Sequence, residues 1–349
     1  ADRLLFKPAA FYDDDSIRVM LGESVTEISR DQQTVMLQSG ETVQYGALVL
    51  ATGSRAREVD VPGITLGGVH YLRGIDDVNA LRNSIAPGKK IVIVGAGYIG
   101  LEVAAVTRQL GMQVSVVEMA DRVMSRVVSP QVSAFFQQLH ELHGVRFHLS
   151  TSLRGLHGST RIGSVEIDGN EKIEADVVLI GAGIVPNIEL AAAAGLATDN
   201  GIVVDSSCVT SDASIYAIGD CTSHPNDIYG RQLRLESVHN ALEQAKTAAS
   251  NICGEEQHYS QVPWFWSDQF DVKLQIAGLS SGYDETVLRG DPADNKFACF
   301  YLQNRQLIAV DAINSPREFM QSKKWIAAKT SVNPEELANP DAALTPSQP

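Results

Sequence analysis

Gly95, Gly97 and Gly100 stand in the run IVIVGAGYIG at residues 91–100. They follow a run of β-branched residues and open an apolar stretch that reads as a helix as far as Gly111. In that setting GxGxxG points to a dinucleotide site. The first glycine permits a tight turn, the second lets a pyrophosphate reach the backbone, and the third lets the helix pack on the strand. The helix N-terminus then favours the negative phosphates, and Tyr98 and Ile99 inside the motif join the candidate site. The next strand, VSVVE, ends at Glu118. An acid there accepts a hydrogen bond from the adenine ribose 2′-hydroxyl and repels a 2′-phosphate, so NADH is expected over NADPH. Arg122 and Arg126, just beyond, leave some NADPH use open. The plainer reading is a surface glycine turn with a structural glutamate, and the strand–loop–helix setting argues against it.

These residues need elements to hold them, and the chain supplies several sets. With 349 residues, two or three domains are expected. The 44% hydrophobic and 20% charged residues fit a globular protein, and no apolar run is long enough to span a membrane. A net charge of −14 argues against nucleic-acid binding but leaves room for a local basic patch facing a protein partner. Cys208, Cys221, Cys253 and Cys299 form no CxxC pair, which removes the usual zinc and thioredoxin-type sites and suggests reduced thiols in the cytoplasm. The eight histidines show no metal spacing.

Before the glycine loop, SIRVML, SVTEISRD, TVMLQSG and TVQYGALVLATG read as short strands. Residues 75–86 read as a helix, 114–118 as a strand, 130–143 as a helix, and VRFHLS, VEIDG and ADVVLIGAG as strands. After a helix at 187–195 come GIVVD, SIYAIGDC and a long helix at 236–253. Beyond Pro263 the chain is strand-rich, with a helix near 316–329 and a Pro- and Ala-rich end expected to be loose.

Two strand ends flank the glycine loop: ATG at 51–53 and GD at 219–220. Together they resemble the two-dinucleotide flavoproteins of the pyridine nucleotide-disulfide reductase superfamily. GYIGLEVAA, GAGIVPN, ESVHNALEQA and WSDQ, in that order, resemble its oxygenase-coupled, putidaredoxin reductase-like ferredoxin reductase branch. The resemblance covers nearly the whole chain. It implies an α/β fold with two Rossmann-like dinucleotide-binding domains, the FAD domain being split around the NAD domain, plus a C-terminal α+β domain. The expected divisions are 1–74 and 188–262 for FAD, 75–187 for NADH, and 263–349 for the C-terminal domain with its loose tail.

The resemblance also implies site residues. Ala51, Thr52, Gly53 and Arg55 would lie near FAD, with Gly219 and Asp220 at the ribityl chain and Val25 giving a backbone contact to adenine. Ser237 and Val238 would meet the pyrimidine edge of the flavin, and Trp266 would lie near the isoalloxazine. Glu102 and Glu236 would lie near the nicotinamide, and Gly183 would join the NADH site. The implied reaction takes hydride from NADH and passes single electrons through FAD to a two-iron, two-sulfur ferredoxin serving an oxygenase, of the haem-thiolate type. Lys246 matches a basic position of the branch; Lys273 and Arg289 are further candidates for the partner surface. A monomer or weak dimer is expected. The family's first GxGxxG, the ribose acid after it and a lysine near flavin N5 are not in this sequence, so a fragment or a natural truncation with weakened FAD binding is expected. The rivals are a flavin-dependent disulfide reductase, an NADH-binding signalling protein like apoptosis-inducing factor, and a truncated NADH binder without turnover.

Overall fold

A computed structural model describes residues 7–13 and 16–344. Its centre is a five-stranded parallel sheet in the order Val69–Tyr71, Val177–Ile180, Lys90–Val94, Gln113–Val117, Arg146–His148. Ile91, Val92, Ile93, Val177, Val178 and Leu179 are fully buried, because a parallel sheet is covered on both faces and its strands are apolar on both. One face packs under the helices Tyr98–Gln109 and Pro130–Leu142. The second helix buries Val132, Phe135, Phe136 and Leu139, a stripe at helical spacing. It starts sharply because Ser129 accepts from the Val132 N–H and Pro130 needs no acceptor of its own. An antiparallel sheet of Leu153–Gly158, Ile162–Ile167 and Lys172–Glu174 covers the other face.

The second unit is assembled from two separated stretches. Strand Leu48–Leu50 pairs in parallel with Ile215–Ala217. Ile28, Val35 and Leu50 share one core with Ala191, Leu196, Ile202 and Ile215. A hairpin-like pair, Ser54–Ala56 with Ile184–Pro186, joins the two crossings between units. The split arrangement expected around the glycine loop is therefore present.

The C-terminal unit is a five-stranded antiparallel sheet in the order Trp264–Gln269, Val272–Gly278, Gln306–Ile313, Lys296–Gln303, Glu285–Asp291. Successive side chains of its fourth strand go to opposite cores. Phe297, Cys299 and Tyr301 pack toward the central unit, and Ala298, Phe300 and Leu302 pack with the helix Pro316–Ala327. This is the period of two that a strand buried on both faces must show.

The structure differs from the sequence expectations in four places. SIRVML is not a strand. Strand Val69–Tyr71 precedes the expected boundary at 74/75 yet belongs to the central sheet. WFWSDQ is an edge strand, unread because its aromatic run lacks clear alternation. The end is not loose as far as residue 344: Pro334–Ala338 is a helix whose Leu337 is buried among Trp325, Ile326 and Val332. Residues 345–349 of the expected tail lie outside the described residues.

Candidate functional site: two dinucleotide crevices under one edge strand

Gly95 turns with φ +106°, and a Cβ there would stand 2.4 Å from the Gly181 carbonyl oxygen. At Gly100 a Cβ would stand 2.1 Å from the Gly95 carbonyl oxygen. Both are packing glycines. At Gly97 a Cβ would meet nothing within 4 Å. That is the space a pyrophosphate needs, at the N-cap of the helix Tyr98–Gln109, so the loop fits a dinucleotide. Glu118 is pinned beside it: Oε2 accepts from the Ala96 N–H (2.7 Å) and Oε1 from the Ala120 N–H (2.8 Å). Each carboxylate oxygen keeps a further lone pair for a ribose hydroxyl. Arg122 is committed to the Val128 and Ser125 carbonyls, whereas Arg126 is exposed. Ile99 is exposed, Tyr98 packs on Phe265 at 4.7 Å, and Gly183 (φ +93°) has open space where a Cβ would stand.

On the split unit, Gly53 (φ +61°) and Gly219 (φ +79°) follow the C-terminal ends of the two paired parallel strands. That is where ligands of open α/β sheets bind. Asp220 sits between them, its Oδ2 accepting from Ser54 Oγ (3.0 Å) and Arg73 (3.1 Å). Arg73 also donates to the Ser54 carbonyl at 2.8 Å. Ala51 and Thr52 are exposed. Thr52 and Asn187 exchange two hydrogen bonds (2.7 and 2.8 Å), and Arg55 reaches Asn187 and Glu189 at 2.7 Å each. The Gly219 N–H donates to Gln244 Oε1 at 2.7 Å, so the long helix Val238–Ile252 fixes the GD turn. Ser237 caps that helix, accepting from the Asn240 N–H. Val25 is half exposed in a three-stranded antiparallel sheet. These open, glycine-lined strand ends fit a flavin nucleotide.

The edge strand Trp264–Gln269 meets both crevices. Toward the split unit, Trp264 lies 5.3 Å from His239 and 5.6 Å from Trp266; Val238, beside His239, and Trp266 are both exposed. Toward the central unit, Ser267 Oγ donates to Glu102 Oε1 at 2.5 Å. Burial raises the Glu102 carboxyl; the Ser267 bond lowers it and the nearby Asp268 charge raises it further. Glu236 instead pairs with Arg234.

Of the basic candidates, Lys246 and Lys273 are exposed, but each has an acid beside it: Glu243 at 2.6 Å and Asp268 at 3.7 Å. Arg289 is a correction. Its side chain is 3% exposed, paired with Glu318 at 3.4 Å, and donates to the carbonyls of Leu337, Asn339, Pro340 and Ala342. It holds the C-terminal segment and cannot face a partner. Sequence reasoning missed Arg73, Asn187, Gln244 and Ser267. Ser267 carried a signal as part of WSDQ, Asn187 as part of GAGIVPN and Gln244 as part of ESVHNALEQA; Arg73 carried none.

A pyridine nucleotide-disulphide oxidoreductase family model matches residues 8–245, and a reductase C-terminal model matches 264–347. A rhodocoxin reductase of Rhodococcus erythropolis is 42% identical over 98% of this chain and 81% of its own length. The ferredoxin–NAD(+) reductase component of an anthranilate 1,2-dioxygenase system from Burkholderia cepacia is 41% identical over 98% and 84%. The solved covalent putidaredoxin reductase–putidaredoxin complex superposes with TM-score 0.94 at 40% identity, covering 97% of this chain and 82% of that one. The chain belongs to the pyridine nucleotide-disulphide oxidoreductase family, in the branch that carries a reductase C-terminal domain.

Proposed function

We propose that the chain is an NADH-dependent ferredoxin reductase that uses FAD and delivers electrons to a two-iron, two-sulfur ferredoxin serving an oxygenase. The single observation that carries this reading is the edge strand Trp264–Gln269. It touches the NADH helix through Ser267 and the flavin-side helix through Trp264, so one element sets the distance between the two crevices. FAD, when bound, supplies the conversion of a two-electron hydride into single-electron steps. The chain's own part is position and electrostatics. Gly97 and the helix N-terminus hold the pyrophosphate, Glu118 selects the unphosphorylated ribose, Asp220 and Arg73 fix the GD turn, and Trp266 closes the apolar edge.

No side-chain nucleophile is needed, and no two thiols form a redox pair: Cys208, Cys221 and Cys299 are buried, Cys253 is exposed, and all four are free. Burial pushes the Cys208 and Cys299 thiols up to about 12. The reductase C-terminal match at 264–347 further favours electron transfer over disulfide reduction. Lys246 and Lys273 remain the candidates for the ferredoxin-facing surface, in a cytoplasmic setting. Two relatives of nearly equal similarity, named for rhodocoxin and for a dioxygenase system, leave the haem-thiolate preference resting on sequence resemblance. The test is NADH-driven reduction of purified ferredoxins, one from each oxygenase class, with FAD supplied. Reduction of at least one is expected; NADH oxidation with neither ferredoxin reduced would reject the reading.

A further inference from the structure

Behind Glu102 the side chains form an unbroken buried run. Ser267 Oγ donates to Glu102 Oε1 at 2.5 Å, Gln269 Nε2 donates to Ser267 Oγ at 3.1 Å, and Gln269 Oε1 lies 2.9 Å from His140 Nε2. Ser267, Gln269 and His140 are each fully buried. The run crosses between units twice. Glu102 and His140 belong to the two helices of the central unit, and Ser267 and Gln269 to the edge strand that also carries Trp266.

The direction of each bond follows from the far end. An amide oxygen only accepts, so His140 carries its hydrogen on Nε2. Its Nδ1 then needs none, and it has no partner among the described residues. The rings of Phe147 and Phe270 stand around it, and burial brings the imidazole down to about 4. Turning the Gln269 amide over would force the hydrogen onto Nδ1, leaving a buried donor unpaired. Orphaned buried N–H groups are rarer in proteins than under-satisfied acceptors. With Gln269 donating to Ser267 Oγ, the hydroxyl hydrogen is left for Glu102. Every donor in the run points toward that carboxyl.

We infer that Ser267, Gln269 and His140 are positioning residues for the nicotinamide end of the dinucleotide: they hold Glu102 Oε1 as a fixed acceptor and leave Oε2 for the carboxamide N–H. The inference rests on the NADH reading above. It gives the WSDQ strand a second task besides presenting Trp266, because one strand then registers the nicotinamide partner and the flavin-side aromatic together.

Calorimetric titration of the full chain, with FAD supplied, tests this using two probes. NAD⁺ has the nicotinamide end and ADP-ribose lacks it. S267A is expected to weaken NAD⁺ about tenfold and ADP-ribose by less than about twofold. S267T, which keeps the hydroxyl, is expected to restore the wild-type ratio, and where S267A fails to fold, Q269L is the variant that reads the run. Q269L is expected to shift the ratio in the same direction as S267A; a wild-type ratio there would overturn the run beyond Ser267. Equal weakening of both probes by S267A would make the run merely structural, and no weakening would reject it. E102A separates the two levels. If it leaves the ratio unchanged, the nicotinamide reading itself fails; if it shifts the ratio while S267A does not, only the positioning inference fails.

Discussion

The glycine loop makes a prediction in which fold and binding part company. Gly100→Ala places a methyl group 2.1 Å from the Gly95 carbonyl oxygen, a backbone atom that cannot rotate away. Ordinary contact is about 3.5–4.0 Å, so the helix Tyr98–Gln109 must lift from its strand by more than an ångström (~1.5 Å). Overpacking of that kind costs about 1–3 kcal/mol, occasionally more. At roughly 2–4 °C per kcal/mol for a unit of this size, the apo protein should melt several degrees lower, ~5 °C. Gly97→Ala adds the same methyl group where nothing stands within 4 Å, at an extended φ of −78° that any residue adopts. Its melting temperature should stay within about 1 °C of wild type. The methyl would occupy the space in which the pyrophosphate meets the helix N-terminus, and NADH affinity should fall by about tenfold or more. Scanning fluorimetry without ligand and a fluorescence titration with NADH measure the two effects. A Gly97→Ala chain that binds NADH normally would refute the assignment of the loop, whatever Gly100→Ala does.

Other perturbations follow from the same geometry. Burial raises the Asp311 carboxyl to about 7, against the Tyr301 hydroxyl that donates to it. Between the ordinary carboxyl range and about 7 the folded chain holds a proton that the unfolded chain has released, so stability falls as pH rises through that window and levels off above it. Asp311→Asn removes that loss, so melts at about pH 5 and about pH 8 should differ less for the variant than for wild type; equal differences would reject the buried ionisation. Arg289→Ala should leave ferredoxin turnover nearly unchanged where the protein is folded. It should destabilise the C-terminal unit by about 3–5 kcal/mol, since Glu318 and four carbonyls lose their partner. Protease cleavage within 334–344 should rise, and unchanged cleavage would contradict this. Asp220→Asn keeps an acceptor for Ser54 but breaks the pair with Arg73. FAD affinity should fall by about tenfold in a fluorescence titration, and unchanged affinity would place the flavin elsewhere.

What the sequence disclosed and what it hid follow physical range. Gly95, Gly97, Gly100 and Glu118 lie on one strand–helix–strand unit, where spacing alone fixes geometry, and the structure keeps them together. The split of one unit around another was implied by the resemblance that ATG, the glycine loop and GD carry, and the strands Leu48–Leu50 and Ile215–Ala217 pair accordingly. The pair Arg73–Asp220 is 147 residues apart in sequence and Ser267–Glu102 is 165. No local pattern announces such pairings, although GD flagged Asp220 in the first, and GYIGLEVAA and WSDQ flagged both ends of the second. Arg289 was misread for the same reason. In ETVLRG it looks like an exposed strand residue, but its partners are carbonyls some fifty residues later, in a turn that only the folded chain brings back. The strand at Val69–Tyr71 was invisible because three residues carry too little period to read.

The account turns on electrons passing from the Gly97 crevice to the Asp220 crevice beneath the edge strand. The most direct measurement is an anaerobic visible spectrum of the chain supplied with FAD, recorded before and after addition of NADH. The account predicts a protein-bound oxidised-flavin band that NADH bleaches much faster than it bleaches free FAD. A band that stays, or that fades no faster than free FAD, would contradict it.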